Sequence, residues 1–182
     1  QNAGILKSYA GLKYADFVKK CVSLLPKKEA DYVLSGSEAL KAASVVQPKY
    51  TRTWFVLGGF TNVLAAKQEN AGDKQKFISE AENYLKKALS LSPNRQEILI
   101  EMEKGYLMAE NFEAMKKTAY DCIKIDSNYG LCYWYLGVAE VFLGDQENGK
   151  KHAEEAEEKT SAGLPYIQLG VAYISQKNYK DA

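Results

Sequence analysis

The side chains able to do chemistry in this chain are few and poorly arranged for it. The single histidine, His152, lies in Lys150-Lys151-His152-Ala153-Glu154-Glu155. A lone imidazole without neighbouring cysteines cannot build a usual zinc site, and in this polar stretch it reads as a solvated residue on an outer helix. Cys21, Cys122 and Cys132 are odd in number and form no C-x-x-C. Cys122 and Cys132 fall at the end of one helix and the start of the next, so a bridge is geometrically conceivable. They read instead as small buried hydrophobes at tight helix contacts, which leaves the redox compartment open. The acidic run Glu154-Glu155-Ala156-Glu157-Glu158-Lys159 reads as a helix surface, with Glu155 and Lys159 an i,i+4 pair. Glycine-rich phosphate cradles, dinucleotide fingerprints, nucleophile elbows and H-E-x-x-H are absent from the sequence. These observations imply no enzyme within the chain, no metal and no cofactor.

Charge narrows the partners. Lys plus Arg number 24 and Asp plus Glu 23, so no global field draws the chain to nucleic acid or anionic lipid. The basic residues do not interleave with aromatics along one stripe, which argues against nucleic acid. The distribution is uneven: residues 1–50 hold 8 basic and 4 acidic side chains, residues 111–182 hold 8 and 11. No apolar run approaches the roughly 20 residues that span a bilayer, so no direct membrane insertion is expected, and no secretory leader is apparent. Opening on Gln1 and stopping at Ala182 in mid-pattern, the sequence reads as a piece of a longer chain.

The elements that would position any site repeat. Leu99, Met102 and Tyr106 recur at spacings of three and four, an apolar stripe on a helix of about 95–109. Asn111 breaks it; Phe112, Met115, Ala119 and Cys122 make a second stripe over about 112–125, and Asp126-Ser127-Asn128 supplies turn chemistry. The next block repeats this with Tyr133, Leu136, Gly137 and Glu140, then Gly144-Asp145, then Ala153 and Ala156. Blocks open at Gln96, at Gly130 after 34 residues and at Gly163 after 33, a period that signals stacked helical hairpins. Upstream, Trp54, Leu57 and Gly58 mark a first helix and Ala81, Leu85 and Ala88 a second, both lengthened, with Asn70-Ala71-Gly72-Asp73 between them. Leu40 and Ala43 lie on an earlier helix ended by Pro48, and Tyr14, Phe17, Val18, Cys21, Val22 and Leu25 on another ended by Pro26.

This pattern resembles the tetratricopeptide repeat, whose unit carries an aromatic, Leu-Gly and Tyr on its first helix and small residues around an aromatic on its second. Tyr166-Ile167-Gln168-Leu169-Gly170-Val171-Ala172-Tyr173, followed by Asn178-Tyr179-Lys180-Asp181-Ala182, is close to that first helix and turn. The resemblance covers about residues 49–182, with departures at Glu103, Thr61, Ser127 and Ser161. It implies an all-α fold, a right-handed superhelical array of antiparallel helix hairpins, an α-solenoid. Residues 1–48 read as a degenerate N-terminal helical unit or cap. The array follows over 49–182, in units of about 49–94 with a lengthened hairpin, 95–129, 130–162 and a truncated 163–182.

In such arrays the first helices line a concave groove. Helical phase puts Phe55, Ile100, Lys104, Leu131, Trp134, Tyr135, Val138, Phe142, Ile167 and Val171 on that side. Exposed apolar patches with aromatic anchors mark interaction sites, so the expected function is a scaffold that binds a protein, peptide or partner helix. Occupation of the groove by the chain's own segments is the competing expectation. Lys104 has no asparagine partner to complete a carboxylate clamp for chaperone tails. A weaker resemblance, carried by Ala88-Leu89-Ser90-Leu91-Ser92-Pro93-Asn94-Arg95 and the Trp54 unit, is to repeat tails of multi-pass bacterial O-antigen ligase and polymerase-like membrane proteins. It implies an extracytoplasmic domain with catalysis elsewhere, whereas a free scaffold would be cytoplasmic. Self-association through the truncated last unit is a further expectation.

Overall fold

The structure, a computed structural model, describes residues 29–161 and 163–177. Among the described residues it is all α-helix: α1 Glu29–Val46, α2 Thr51–Ala66, α3 Ala71–Leu91, α4 Gln96–Met108, α5 Phe112–Ile125, α6 Gly130–Phe142, α7 Gln146–Lys159 and α8 Tyr166–Ser175. The stripe ended by Pro26, Cys21, and the segment 178–182 lie outside the described residues. The chain divides into two compact units, Gln1–Glu101 and Met102–Ala182, and the division falls within α4.

Local chemistry explains where the helices start and stop. Each second helix opens on an Asx cap: Asn70, Asn111 and Asp145 accept from the backbone N–H of Asp73, Ala114 and Asn148 at 3.0, 3.2 and 3.3 Å. Three first helices lack such caps, for Tyr50, Tyr129 and Pro165 precede α2, α6 and α8 without a side-chain cap bond. The second residue after each of three first helices turns left-handed, at Glu110 (φ 56°), Gly144 (φ 91°) and Lys177 (φ 59°). These are one register position, and the following N–H of Asn111 and of Asp145 closes back on the carbonyl of Tyr106 and of Glu140, each at 2.9 Å, as in a Schellman stop.

In the first unit α1 and α3 both pack on α2. Val33, Leu40, Val56, Leu57, Phe60 and Leu64 form its core, flanked by Trp54, Phe77 and Tyr84. The hairpin is long, with α2 of 16 residues and α3 of 21 against 13 and 14 for α6 and α7.

In the second unit α5, α7 and α8 all pack on α6. The small residues on the packing stripe are required there. A Cβ on Gly137 would lie 2.6 Å from the Gly149 carbonyl oxygen and 3.0 Å from the Ala153 nitrogen, so α6 and α7 cross backbone to backbone. The equivalent position on α4 carries Glu103, wholly buried, and its two carboxylate oxygens have no hydrogen-bond partner among the described residues. Burial pushes this carboxyl well above the usual range, against a weaker opposing effect of Lys104.

Candidate protein-interaction site

Three residues from the sequence-derived set meet at one place. Phe142 at the end of α6 and Ile167 and Val171 on α8 line a concavity of about 590 Å³, together with Leu107, Phe112 and Gln168. Phe112 and Phe142 stack at 4.1 Å with their planes 5° apart, giving an apolar wall. Gln176 fixes the rim by donating from Nε2 to the Phe142 carbonyl at 2.9 Å. The Gln168 Oε1 accepts no hydrogen bond from the described residues. The concavity can therefore receive apolar side chains, while the Gln168 Oε1 is buried away from it.

The exposed stripe beside it is long. Ile167, Val171 and Ile174 are 83, 51 and 52% accessible, and their i, i+4, i+7 spacing places them along one line of α8. The whole of α8, YIQLGVAYIS, carries no charged side chain.

Other members of the set sit elsewhere, and their expected exposure is corrected. Trp134 has no accessible surface, Tyr135 retains 2%, and Val138 and Ile100 are buried. The cause on α6 is its packing against α8. The Trp134 ring meets the Tyr166 ring edge-on at 5.2 Å, and Val141 packs with Ala172 and Tyr173, flanked by Leu169. The aromatic stripe that phase alone turns to solvent is thus covered by the next first helix. Leu131 and Lys104 are half-buried and do not line the concavity. Phe55 is half-buried in the first unit, with the Arg95 guanidinium 4.9 Å above its ring.

Periodicity alone puts Phe112 on the packing side; its place at the first position of α5, directly after the Asn111 cap, is what turns it toward Phe142. His152 is likewise not a solvated bystander: its Nδ1 lies 2.6 Å from Oε2 of the buried Glu140. Lys116 Nζ and the Tyr120 hydroxyl reach Glu140 Oε1 at 3.3 and 3.4 Å. One carboxylate therefore ties α5, α6 and α7 together. Burial works to lower the Lys116 pKa, but the Glu140 hydrogen bond and charge outweigh it and raise the value. Cys122 and Cys132, expected as separate thiols, are joined in a disulfide. Among the described residues no group of three or more His, Cys, Asp or Glu is placed to hold a metal ion, and no helix is long and apolar enough to cross a membrane.

Comparison with solved structures identifies the architecture. The chain is similar to the crystal structure of MamA protein, at 18% identity over 93% of this chain and 84% of that one, with a TM-score of 0.61. It is similar to TTC0263, a thermophilic TPR protein of Thermus thermophilus, at 15% identity over 96 and 95% of the two chains, with a TM-score of 0.64. A further MamA structure gives 17% identity over 80 and 85%, with a TM-score of 0.57. No protein-family profile and no curated protein matches the chain in sequence. At these identities the likeness carries the fold, which is that of tetratricopeptide-repeat solenoids.

Proposed function

We propose that this protein is a protein-interaction scaffold that receives a partner helix or extended peptide on α8, with Ile167, Val171 and Phe142 as the contact residues. One observation carries the reading. Ile167, Val171 and Ile174 occupy the register positions that Trp134, Val138 and Val141 occupy on α6. On α6 all three are wholly buried, with Tyr166 of α8 over Trp134 and Ala172 and Tyr173 of α8 against Val141; on α8 the three are exposed. The face is built for another helix, and the chemistry of a fitting occupant is that of α8 itself: apolar and aromatic, with small residues at the crossing. Burying a side chain such as Ile167 contributes roughly 1.5–3 kcal/mol. In this reading residues 1–48 form an atypical end unit and the repeats run over 49–182, with units near 49–94, 95–129, 130–162 and 163–182. Catalysis forms no part of it.

A synthetic peptide of residues 163–177 is the probe, titrated against the whole chain and followed by fluorescence anisotropy. Saturable binding that is lost in Ile167→Asp/Val171→Asp supports the reading. Absence of binding, or binding that survives the substitutions, contradicts it. Light scattering over a range of concentrations separates self-association of the same stripe from partner binding.

A second reading is favoured by the Cys122–Cys132 disulfide, because such bonds persist in oxidising compartments. In it the chain is the extracytoplasmic domain of a multi-pass bacterial glycan ligase or polymerase-like protein, with catalysis outside these residues.

A further inference from the structure

The first unit carries a concavity whose chemistry differs from that of the one beside α8. Its volume is about 460 Å³, and among the described residues three cations line it, Lys49, Arg52 and Arg95, beside Thr51. Tyr50, Phe55 and Val56 complete the lining as an apolar wall, and no acidic side chain is among these residues. The nearest printed counter-charge is Glu97, whose Oε2 lies 3.4 Å from Arg95 Nε at the surface. A guanidinium engaged at one nitrogen keeps further N–H donors for a second acceptor.

The backbone that presents the cations is anchored on both sides. The Trp54 indole donates to the Pro48 carbonyl at 2.8 Å, and the Tyr50 N–H to the Gln47 carbonyl at 3.1 Å, which holds the segment of Lys49. The Arg95 N–H donates to the Ser92 carbonyl at 3.3 Å, and the Arg95 carbonyl accepts from the Ile98 N–H at 3.1 Å. The hydroxyls of Thr51 and Ser92 pair at 3.0 Å and join the start of α2 to the end of α3. Thr51 opens α2, and Tyr50 before it makes no side-chain cap bond, so the positive end of the helix adds to the field of the cations.

The repeat supplies an internal comparison. Lys49, Arg52 and Phe55 stand where the next unit has Asn94, Glu97 and Ile100, and where the one after has Asn128, Leu131 and Trp134. A first helix therefore packs without a cation at either position. The paired charge at Lys49 and Arg52 is an addition to the repeat, and both side chains are exposed.

Two planar guanidinium forks and an ammonium suit the oxygens of a dianionic phosphoryl group. The volume falls within the roughly 300–1,000 Å³ of pockets that take an organic ligand, so the apolar wall has room for the group that carries the phosphate. An aryl phosphate has both parts. We propose that this cavity binds a phosphotyrosine side chain of a partner peptide, with Lys49, Arg52 and Arg95 on the phosphoryl oxygens and Tyr50 and Phe55 against the ring. No residue of it belongs to the docking face on α8.

The test titrates the whole chain into a fluorescein-labelled peptide of glycine and alanine with one central phosphotyrosine, read by anisotropy in a phosphate-free buffer. Saturable binding is expected, displaced more effectively by phenyl phosphate than by inorganic phosphate. Lys49→Gln/Arg52→Gln should keep the native helicity and bind at least about tenfold more weakly. Absence of binding, or equal binding of the unphosphorylated peptide or of one with glutamate in place of phosphotyrosine, would overturn the proposal. So would full affinity in the variant, or inorganic phosphate competing as well as phenyl phosphate. Tighter binding of a single-stranded oligonucleotide assigns the cavity to nucleic acid and overturns it as well. The competition on the native chain decides the matter even where the variant loses helicity.

Discussion

Trp134 and Ile167 stand at the same register position of successive first helices, yet Trp134 has no accessible surface and Ile167 is 83% accessible. The difference lies in the next first helix along the chain. Tyr166 of α8 closes over Trp134, and no described residue does the same for Ile167. The relationship turns a repeat into a measurement of the neighbour that would fit against α8.

It also separates two substitutions that a sequence treats alike. Trp134→Ala should cost about 3–5 kcal/mol, because it empties a filled site between α6 and α8. Val171→Ser should change stability by within about 0.5 kcal/mol, since Val171 is already half-exposed. Urea denaturation of both variants checks this, and equal losses would mean that the exposed stripe is covered in solution.

Glu103 predicts a pH dependence with a definite sign. Its folded pKa is raised above the ordinary 4.5, so the stability linked to it is fully present below pH 4.5 and is lost as pH rises toward the folded value. The slope reaches about 1.4 kcal/mol per pH unit while the unfolded chain is ionised and the folded chain is not. Glu103→Gln should remove that slope, matching the native chain at acid pH and exceeding its stability near neutrality. Melting curves across roughly pH 3–8 read the difference, and parallel curves would refute the assignment.

The Glu140 cluster predicts the opposite end of the scale. Glu140→Gln should cost about 1–3 kcal/mol by leaving His152 and Lys116 without their carboxylate. The Lys116 pKa is raised from 10.5, so its contribution is present below pH 10.5 and disappears as pH climbs through the folded value. Alkaline unfolding should therefore show less dependence on pH above 10.5 in the variant than in the native chain.

Backbone geometry gives a paired prediction. Glu110→Gly should stabilise the chain by about 0.5–1 kcal/mol, because a left-handed φ of 56° suits glycine and the equivalent Gly144 already has it. Gly137→Ala should destabilise by about 1–3 kcal/mol, since the new methyl meets the Gly149 carbonyl. Thermal melts of the two variants should move in opposite directions.

The fold is legible in the sequence because helical periodicity and Asx caps are local. Leu136, Gly137, Met115, Ala119 and Ala153 mark a packing stripe, and all are buried. The exposed face is harder to read, because phase says which way Trp134 points and nothing about the element it meets. Ile167 and Val171, placed on the same face by phase, are exposed. Glu140 does leave a signal. A carboxyl on a packing stripe must find a partner or keep its proton, and His152 lies on the helix facing Glu140. The cysteines give only spacing, and the Cα separation across the turn needs the backbone itself.

Methyl-resolved NMR of the isoleucine and valine side chains, recorded while the 163–177 peptide is added to the whole chain, tests the docking face most directly. Docking on the exposed stripe should give saturable shifts at Ile167, Val171 and Ile174, with Val138 and Val141 unmoved. Shifts at Val138 and Val141 would mean that the peptide displaces α8 from α6. That result, or no shift at all, would contradict the claim that the exposed stripe of α8 receives a partner.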